Sequence, residues 1–139
     1  MEKVFIDTSA LYALMTPKDK FYNSANEYLE SVIKKSDKKD ITLITTDYVI
    51  CETLNLINIR QGHKEAIEFL NSIENSQYFD VEDITKSNKD EAKKIFKKHT
   101  DKDYSFTDCT SFAFMRENEI KKAFAFDNHF IQFGFELVA

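Results

Sequence analysis

Asp7, Glu52, Asp108 and Asp127 stand at four separated points of the chain, each beside an apolar segment. Asp7 follows Val4-Phe5-Ile6, and Asp127 follows Ala123-Phe124-Ala125-Phe126. Asp108 comes just after Phe106-Thr107, where a helix would open, and Glu52 interrupts the apolar side of a helix. Carboxylates gathered in one cleft repel one another unless a cation joins them. A hard cation such as Mg²⁺ or Mn²⁺ prefers oxygen ligands of this kind. One or two such ions would hold a phosphodiester oxygen, lower the pKa of a bound water and steady the charge on the leaving oxygen. No His or Lys base is then required. The residue types point to metal-assisted hydrolysis of a phosphodiester.

Taken singly, each acid has a simpler reading. Asp7 ahead of Thr8-Ser9 fits a turn or a helix cap. Asp108, one residue after the candidate cap Thr107, fits helix-dipole stabilisation. Asp127 fits a loop acid. Glu52 is the most informative of the four. Val49, Glu52, Leu56 and Ile59 share one stripe by helical spacing, and the other three are apolar. A carboxylate there is partly buried and needs a partner, either a functional site or a salt bridge to a Lys or to Arg60. Phe112 and Met115 share the helix face of Asp108 and would anchor it in the core.

The elements that must position these acids alternate along the chain. Strands are expected over Lys3 to Ile6, Ile41 to Thr45, Tyr78 to Val81, Lys122 to Phe126 and Phe135 to Val138. Between them the spacing predicts helices over Ala10 to Met15 (capped by Thr8 or Ser9), Lys20 to Lys35, Asp47 to Arg60 (closed by Gly62), Lys64 to Ile73, Lys89 to Lys98 and, capped by Thr107, a last one to Glu119. Ser36 to Asp40 reads as a charged turn, and His99 to Ser105 as a polar loop. This order predicts the α/β class: a small parallel sheet flanked by helices on both faces. In such sheets ligands bind outside the carboxyl ends of the strands, near a switch in strand order.

Composition narrows the class further. At 139 residues, with 42% hydrophobic residues, thirteen Phe and six Tyr, the chain is expected to form a single domain, 1–139, with one core. Apolar runs are too short to span a bilayer and no signal-peptide pattern opens the sequence, so a cytoplasmic protein without membrane contact is expected. Cys51 and Cys109 are expected to be ordinary thiols in or near the core, and His63, His99 and His129 lack zinc-ligand spacing. No glycine loop for a nucleotide cofactor is present. The net charge of −5 argues against a general nucleic-acid binder. Lysine pairs at 34–35, 38–39, 93–94, 97–98 and 121–122 offer local basic surface, read first as solvated helix faces and loops. A metal between acidic site and anionic substrate removes the conflict.

Asp7-Thr8-Ser9-Ala10-Leu11, Glu52-Thr53-Leu54-Asn55, Ser105-Phe106-Thr107-Asp108-Cys109 and Phe126-Asp127-Asn128-His129-Phe130 with Gly134-Phe135, in that order and spacing, resemble the PIN domain, and in particular its short toxins of the VapC type. The resemblance covers nearly the whole chain. It implies a PIN-like α/β/α sandwich and an endoribonuclease dependent on Mg²⁺ or Mn²⁺. It implies that Asp7, Glu52, Asp108 and Asp127 are the acidic quartet, with Asp7 and Asp108 ligating directly and Glu52 and Asp127 acting through water or a second metal. Ser9 and Thr107 would be supporting hydrogen-bonding groups. A cognate antitoxin that inserts near the pocket, an RNA substrate and a homodimer are further implications. Asp103 lies close to the third motif and leaves the number of metal-facing acids open. Arg60 and Arg116, the only arginines, read as structural or solvent-exposed.

Two other classes compete. A catalytically inactive PIN-like module that binds protein or RNA would tolerate loss of the acids, yet all four are intact. A phosphohydrolase with an aspartyl nucleophile usually carries Asp-x-Asp after its first strand, and position 9 here is Ser.

Overall fold

Val4, Phe5 and Ile6 are fully shielded from solvent. Successive strand residues point to opposite faces, so both faces of their strand are covered. That strand, β1 (Glu2–Ile6), is the centre of the computed structural model, which describes residues 2–36 and 40–139. The elements that follow are α1 (Thr8–Leu14), α2 (Tyr22–Ser36), β2 (Ile41–Thr46), α3 (Asp47–Arg60), α4 (His63–Asn75), β3 (Phe79–Glu82), α5 (Lys86–Lys98), α6 (Phe106–Glu117), β4 (Lys122–Phe124), α7 (His129–Phe133) and β5 (Glu136–Leu137).

The strands form one sheet in the order β3-β2-β1-β4-β5, and every neighbouring pair is parallel. Val4 is in register with Leu43 on one side and Lys122 on the other. The chain builds outward from β1 through β2 to β3, then returns through α5 and α6 to lay β4 on the far side of β1. The strand order therefore reverses between β1 and β4, which opens a crevice at their carboxyl ends. The Asp7 backbone N–H donates to the Phe124 carbonyl at 3.1 Å and ties the two strand ends together.

The helix α6 is unusual in its surroundings: every residue from Asp108 to Met115 is buried. Its sequence has no polar face because its whole circumference is covered, with α5 and α3 among its neighbours. Phe112 stacks on Phe133 at 4.5 Å and meets Phe130 and Tyr104 edge-on at 5.2 and 5.0 Å. Such contacts add to the area term of burial and hold α6 and α7 together.

Several expected boundaries move, each for a local reason. Asp7, rather than Thr8 or Ser9, caps α1, and Ser105, rather than Thr107, caps α6. The capping box of Thr85 and Asn88 starts α5 at Lys86, three residues before the expected Lys89. The strand expected to reach Phe126 ends at Phe124, and the terminal strand shrinks to Glu136–Leu137. The short α7 was not expected, since five residues carry too little periodicity. Cys109 is buried as expected but Cys51 is exposed, and both are free thiols. The charged turn expected at Ser36 to Asp40, and with it Lys38-Lys39, falls on 37–39, outside the described residues.

Ser111 lies in the middle of α6, fully buried, and its hydroxyl has no hydrogen-bond partner among the described residues. An unsatisfied buried hydroxyl is destabilising by about 1–3 kcal/mol. Ser111→Ala is expected to raise stability by about 1 kcal/mol, read as a higher urea midpoint with unchanged slope. A lower midpoint would show that the hydroxyl has a partner.

Candidate active site

The crevice between β1 and β4 is where the acids meet. Asp7 leaves the carboxyl end of β1 and caps α1, with 3% of its surface exposed. Its Oδ2 accepts from the Ser9 backbone N–H at 3.4 Å and from the Ser9 hydroxyl at 3.3 Å. That same hydroxyl accepts from the Phe126 N–H at 3.0 Å. Ser9 thus fastens the first acid to the loop that carries the fourth. Asp127 sits in the turn beyond β4, half-buried, and its Oδ1 accepts from the His129 N–H at 3.0 Å.

Asp108 arrives on the first turn of α6, 7% exposed. The Ser105 hydroxyl accepts from its N–H, and its Oδ2 accepts from the Ser105 N–H, both at 3.0 Å. This capping box fixes the side chain. His129 Nδ1 shares a further 2.9 Å hydrogen bond with Asp108 Oδ2 and lies 4.0 Å from Asp127 Oδ1, so one imidazole stands beside two of the acids.

Glu52 reaches the cleft by a route other than the expected one. The buried row of α3 is Val49, Thr53 and Ile57, while Ile59 is 81% exposed. Thr53 sets this face: its hydroxyl donates to the Val49 carbonyl and lies 3.2 Å from the Thr8 hydroxyl, locking α3 against α1. Glu52 is therefore half-buried on the flank of the helix, not within its core stripe, and no described Lys or Arg forms an ion pair with it.

Asp7, Glu52, Asp108 and Asp127 together line one open cleft of about 430 Å³. Ser9, Ser105 and Asp103 line it too, whereas Thr107 lies in the neighbouring groove along α3, beside Glu52 and Tyr48. Ser105 is the residue that hydrogen-bonds Asp108, while the Thr107 carbonyl accepts from the Thr110 hydroxyl. Other wall residues carry no expected role from the sequence, among them Tyr12, Asp19, Phe21 and His129. His129 had a usable signal, since Asp127-Asn128-His129 is an Asp-x-His turn directly after a strand. Arg60, read as structural or exposed, is exposed but faces this cleft, with its guanidinium 5.4 Å from the Tyr12 ring centre.

The electrostatics follow from burial. Asp7 is pushed well above the usual carboxylate range, first by desolvation and then by the negative charges of Asp127, Asp108 and Glu52. Burial also raises Asp108, with Asp127 adding to it and the Ser105 N–H and His129 opposing. A set of carboxylate oxygens whose members hinder each other's ionisation suits a hard divalent ion. The acids line a shared cleft without forming a closed cage: among the described residues no three His, Cys, Asp or Glu side chains are grouped closely enough to hold an ion.

A parallel sheet in this order, with acids from four elements meeting at its switch point, defines a class. The chain belongs to the PIN domain family, whose pattern matches residues 4–136. Among individual proteins, it is 34% identical over 132 residues to the 23S rRNA-specific endonuclease VapC20 of Mycobacterium tuberculosis, covering 95% of both chains. The crystal structure of that VapC20, described as a Sarcin-Ricin loop cleaving toxin, superimposes with a TM-score of 0.81 at 32% identity over 95% of each chain. Two more distant structures share the fold: VapBC2 from Rickettsia felis bound to a DNA fragment from their promoter (TM-score 0.73, 9% identity, 98% and 97% covered) and FitAcB from Neisseria gonorrhoeae (0.68, 13%, 98% and 96%).

A carboxyl whose folded-state pKa lies above its unfolded value favours the fold while protonated. Its contribution falls as pH rises from the ordinary carboxylate range through the raised value. Asp7 and Asp108 both act in this direction. Metal-free protein is therefore expected to melt higher near pH 5 than at pH 7. Asp7→Asn keeps the hydrogen-bond acceptor without the charge. It is expected to raise the metal-free melting temperature at pH 7 by roughly 3–5 °C, for about 1 kcal/mol of relief, and to flatten the pH dependence. Thermal scans at several pH values with EDTA check this, and a lower melting temperature for the variant would contradict it.

Proposed function

We propose that this chain is an endoribonuclease that hydrolyses RNA phosphodiester bonds at the four-carboxylate cleft with Mg²⁺ or Mn²⁺, and that it is the toxin of a type II toxin–antitoxin pair. One observation carries the reading: four carboxylates from four elements share one cleft at the strand-order switch. The chain-long likeness to a relative named as an rRNA endonuclease supports it. Asp7 and Asp108 would hold the ion directly, and Glu52 and Asp127 through water or a second ion. When bound, the ion supplies the positive charge that the scissile phosphate and the departing oxygen require.

The chain's own residues do the positioning. The Ser9 hydroxyl holds Asp7 in place and ties it to the loop of Asp127. Ser105 clamps Asp108 by two reciprocal hydrogen bonds, leaving the Asp108 carboxylate to face the cleft. His129 orients Asp108 further, a role in which partners typically matter 10–100-fold. Phe21 and Phe126, stacked at 4.4 Å, and Tyr12 give the same cleft aromatic walls suited to unstacked bases. The resemblance to VapC-type toxins implies the partners: an RNA substrate, a cognate antitoxin that inserts near the cleft, and a second copy in a homodimer. The described residues contain no helix long and apolar enough to cross a membrane, and the proposed site of action is the cytoplasm.

An RNA carrying the sarcin–ricin loop is the first substrate to try, beside total RNA. Cleavage is expected with Mg²⁺ or Mn²⁺, lost with EDTA, and reduced at least about 100-fold by Asp7→Asn or Asp108→Asn. Growth arrest on expression should disappear with the same substitutions. A growth phenotype that persists in Asp7→Asn would instead favour a binding module. His129→Ala is expected to lower kcat about 10–100-fold with little change in KM, and an unchanged kcat would remove His129 from the machinery.

A further inference from the structure

Away from the acid cleft, one hollow of about 270 Å³ combines positive charge with an aromatic wall. Lys94 and Lys98, four residues apart, reach it from α5, Arg116 from the last turn of α6, and Phe133 from α7. Glu91 is the acidic group at its wall and lies 3.9 Å from Lys94. Lys98 and Arg116 remain without an ion pair among the described residues. In a chain of net charge −5, the hollow is a local reversal of sign. The Arg116 guanidinium lies over the Phe133 ring at 4.8 Å, which places its planar fork of donors rather than leaving it to wander in solvent.

The hollow is also joined to the catalytic region. Phe133 contacts the Tyr104 ring at 6.0 Å, Tyr104 contacts His129 edge-on at 5.5 Å, and His129 holds Asp108. Two ring contacts and one hydrogen bond, passing through buried Tyr104, thus link the wall of the hollow to Asp108. Guanidinium and ammonium donors beside an aromatic face are the combination that binds a nucleic-acid strand through its phosphates. Arg in particular suits a phosphate's paired oxygens.

We propose that the hollow between α5, α6 and α7 is a phosphate subsite that grips the RNA strand on one side of the bond to be cut. It rests on the RNA reading above and deepens it. Beside the cleft's Arg60 and aromatic walls, this subsite supplies further strand affinity, while the cleft performs the cleavage.

The test is fluorescence anisotropy of full-length protein with labelled RNA hairpins bearing single-stranded flanks, in EDTA so that nothing is cleaved, between about 50 and 200 mM salt. The double variant Lys94→Gln/Lys98→Gln changes exposed side chains only, and Arg116→Gln is made separately. Lys34→Gln/Lys35→Gln on α2 alters net charge equally at a different place. The hollow's double variant is expected to weaken binding about tenfold at low salt and to lower the log–log salt slope by about 1 to 2. The α2 control should stay within about twofold. With Mg²⁺, KM should rise while kcat holds. Equal effects from the two double variants overturn the subsite, as does a wild-type protein that binds no RNA, or a poly-glutamate peptide that binds the hollow where RNA does not. RNA bound through the hollow yet uncut with any divalent ion would leave the subsite standing and refute the nuclease reading. RNA cut equally by the wild type and the hollow's variants would do the reverse.

Discussion

A carboxylate at the end of the central strand, buried and facing three others, is the constraint around which this molecule is arranged. Asp7 cannot ionise there without opposing Asp127, Asp108 and Glu52. A rigid backbone keeps the Asp7 carboxyl among those like charges, which favours its protonated form while no cation is bound. The rigidity comes from β1, whose Val4, Phe5 and Ile6 are enclosed on both faces, and from the bond between the Asp7 N–H and Phe124. The Ser9 hydroxyl then fixes the side chain and the facing loop with the same oxygen.

The packing that supports this arrangement is mostly aromatic. The helix α6 carries Asp108 into the cleft from a segment with no solvent-facing side between Asp108 and Met115. Phe112, Phe130, Phe133 and Tyr104 interlock around it. An acid on a surface helix would be free to move away from its like-charged neighbours. On α6 it is anchored by the core below and by the reciprocal cap of Ser105 at its own end. The same aromatic cluster supports His129 through Tyr104, so core packing and site geometry share one set of side chains.

How much of this was legible in the sequence depended on whether a signal was local. The alternation of elements, and hence the parallel sheet, could be read because apolar runs and helical stripes repeat over many residues. The four acids could be listed because each borders such an element. The caps could not be assigned, because Asp7-Thr8-Ser9 and Ser105-Phe106-Thr107-Asp108 each offer several side chains able to cap. Backbone geometry alone chooses Asp7 and Ser105. Glu52 is partly buried as its stripe suggests, although of that stripe the fold fully buries only Val49. The row running through Thr53 wins because the Thr53 and Thr8 hydroxyls meet across α3 and α1, a contact 45 residues apart in sequence. His129 was missed for a similar reason, as its importance lies in a bond to Asp108 that spans 21 residues.

The distribution of charge then gives the net −5 its meaning. An average over the chain suggests a protein that avoids nucleic acid, but averages do not bind ligands. Negative charge is concentrated at the end of β1, and a local positive patch stands where Lys94, Lys98 and Arg116 meet, with Glu91 as its one acidic wall residue. Screening makes each field local: at physiological ionic strength it decays over about 8 Å. A strand held by one surface can present a phosphate to the other without the acids repelling its whole length. Spreading the same lysines evenly would remove the local reversal of sign at the hollow.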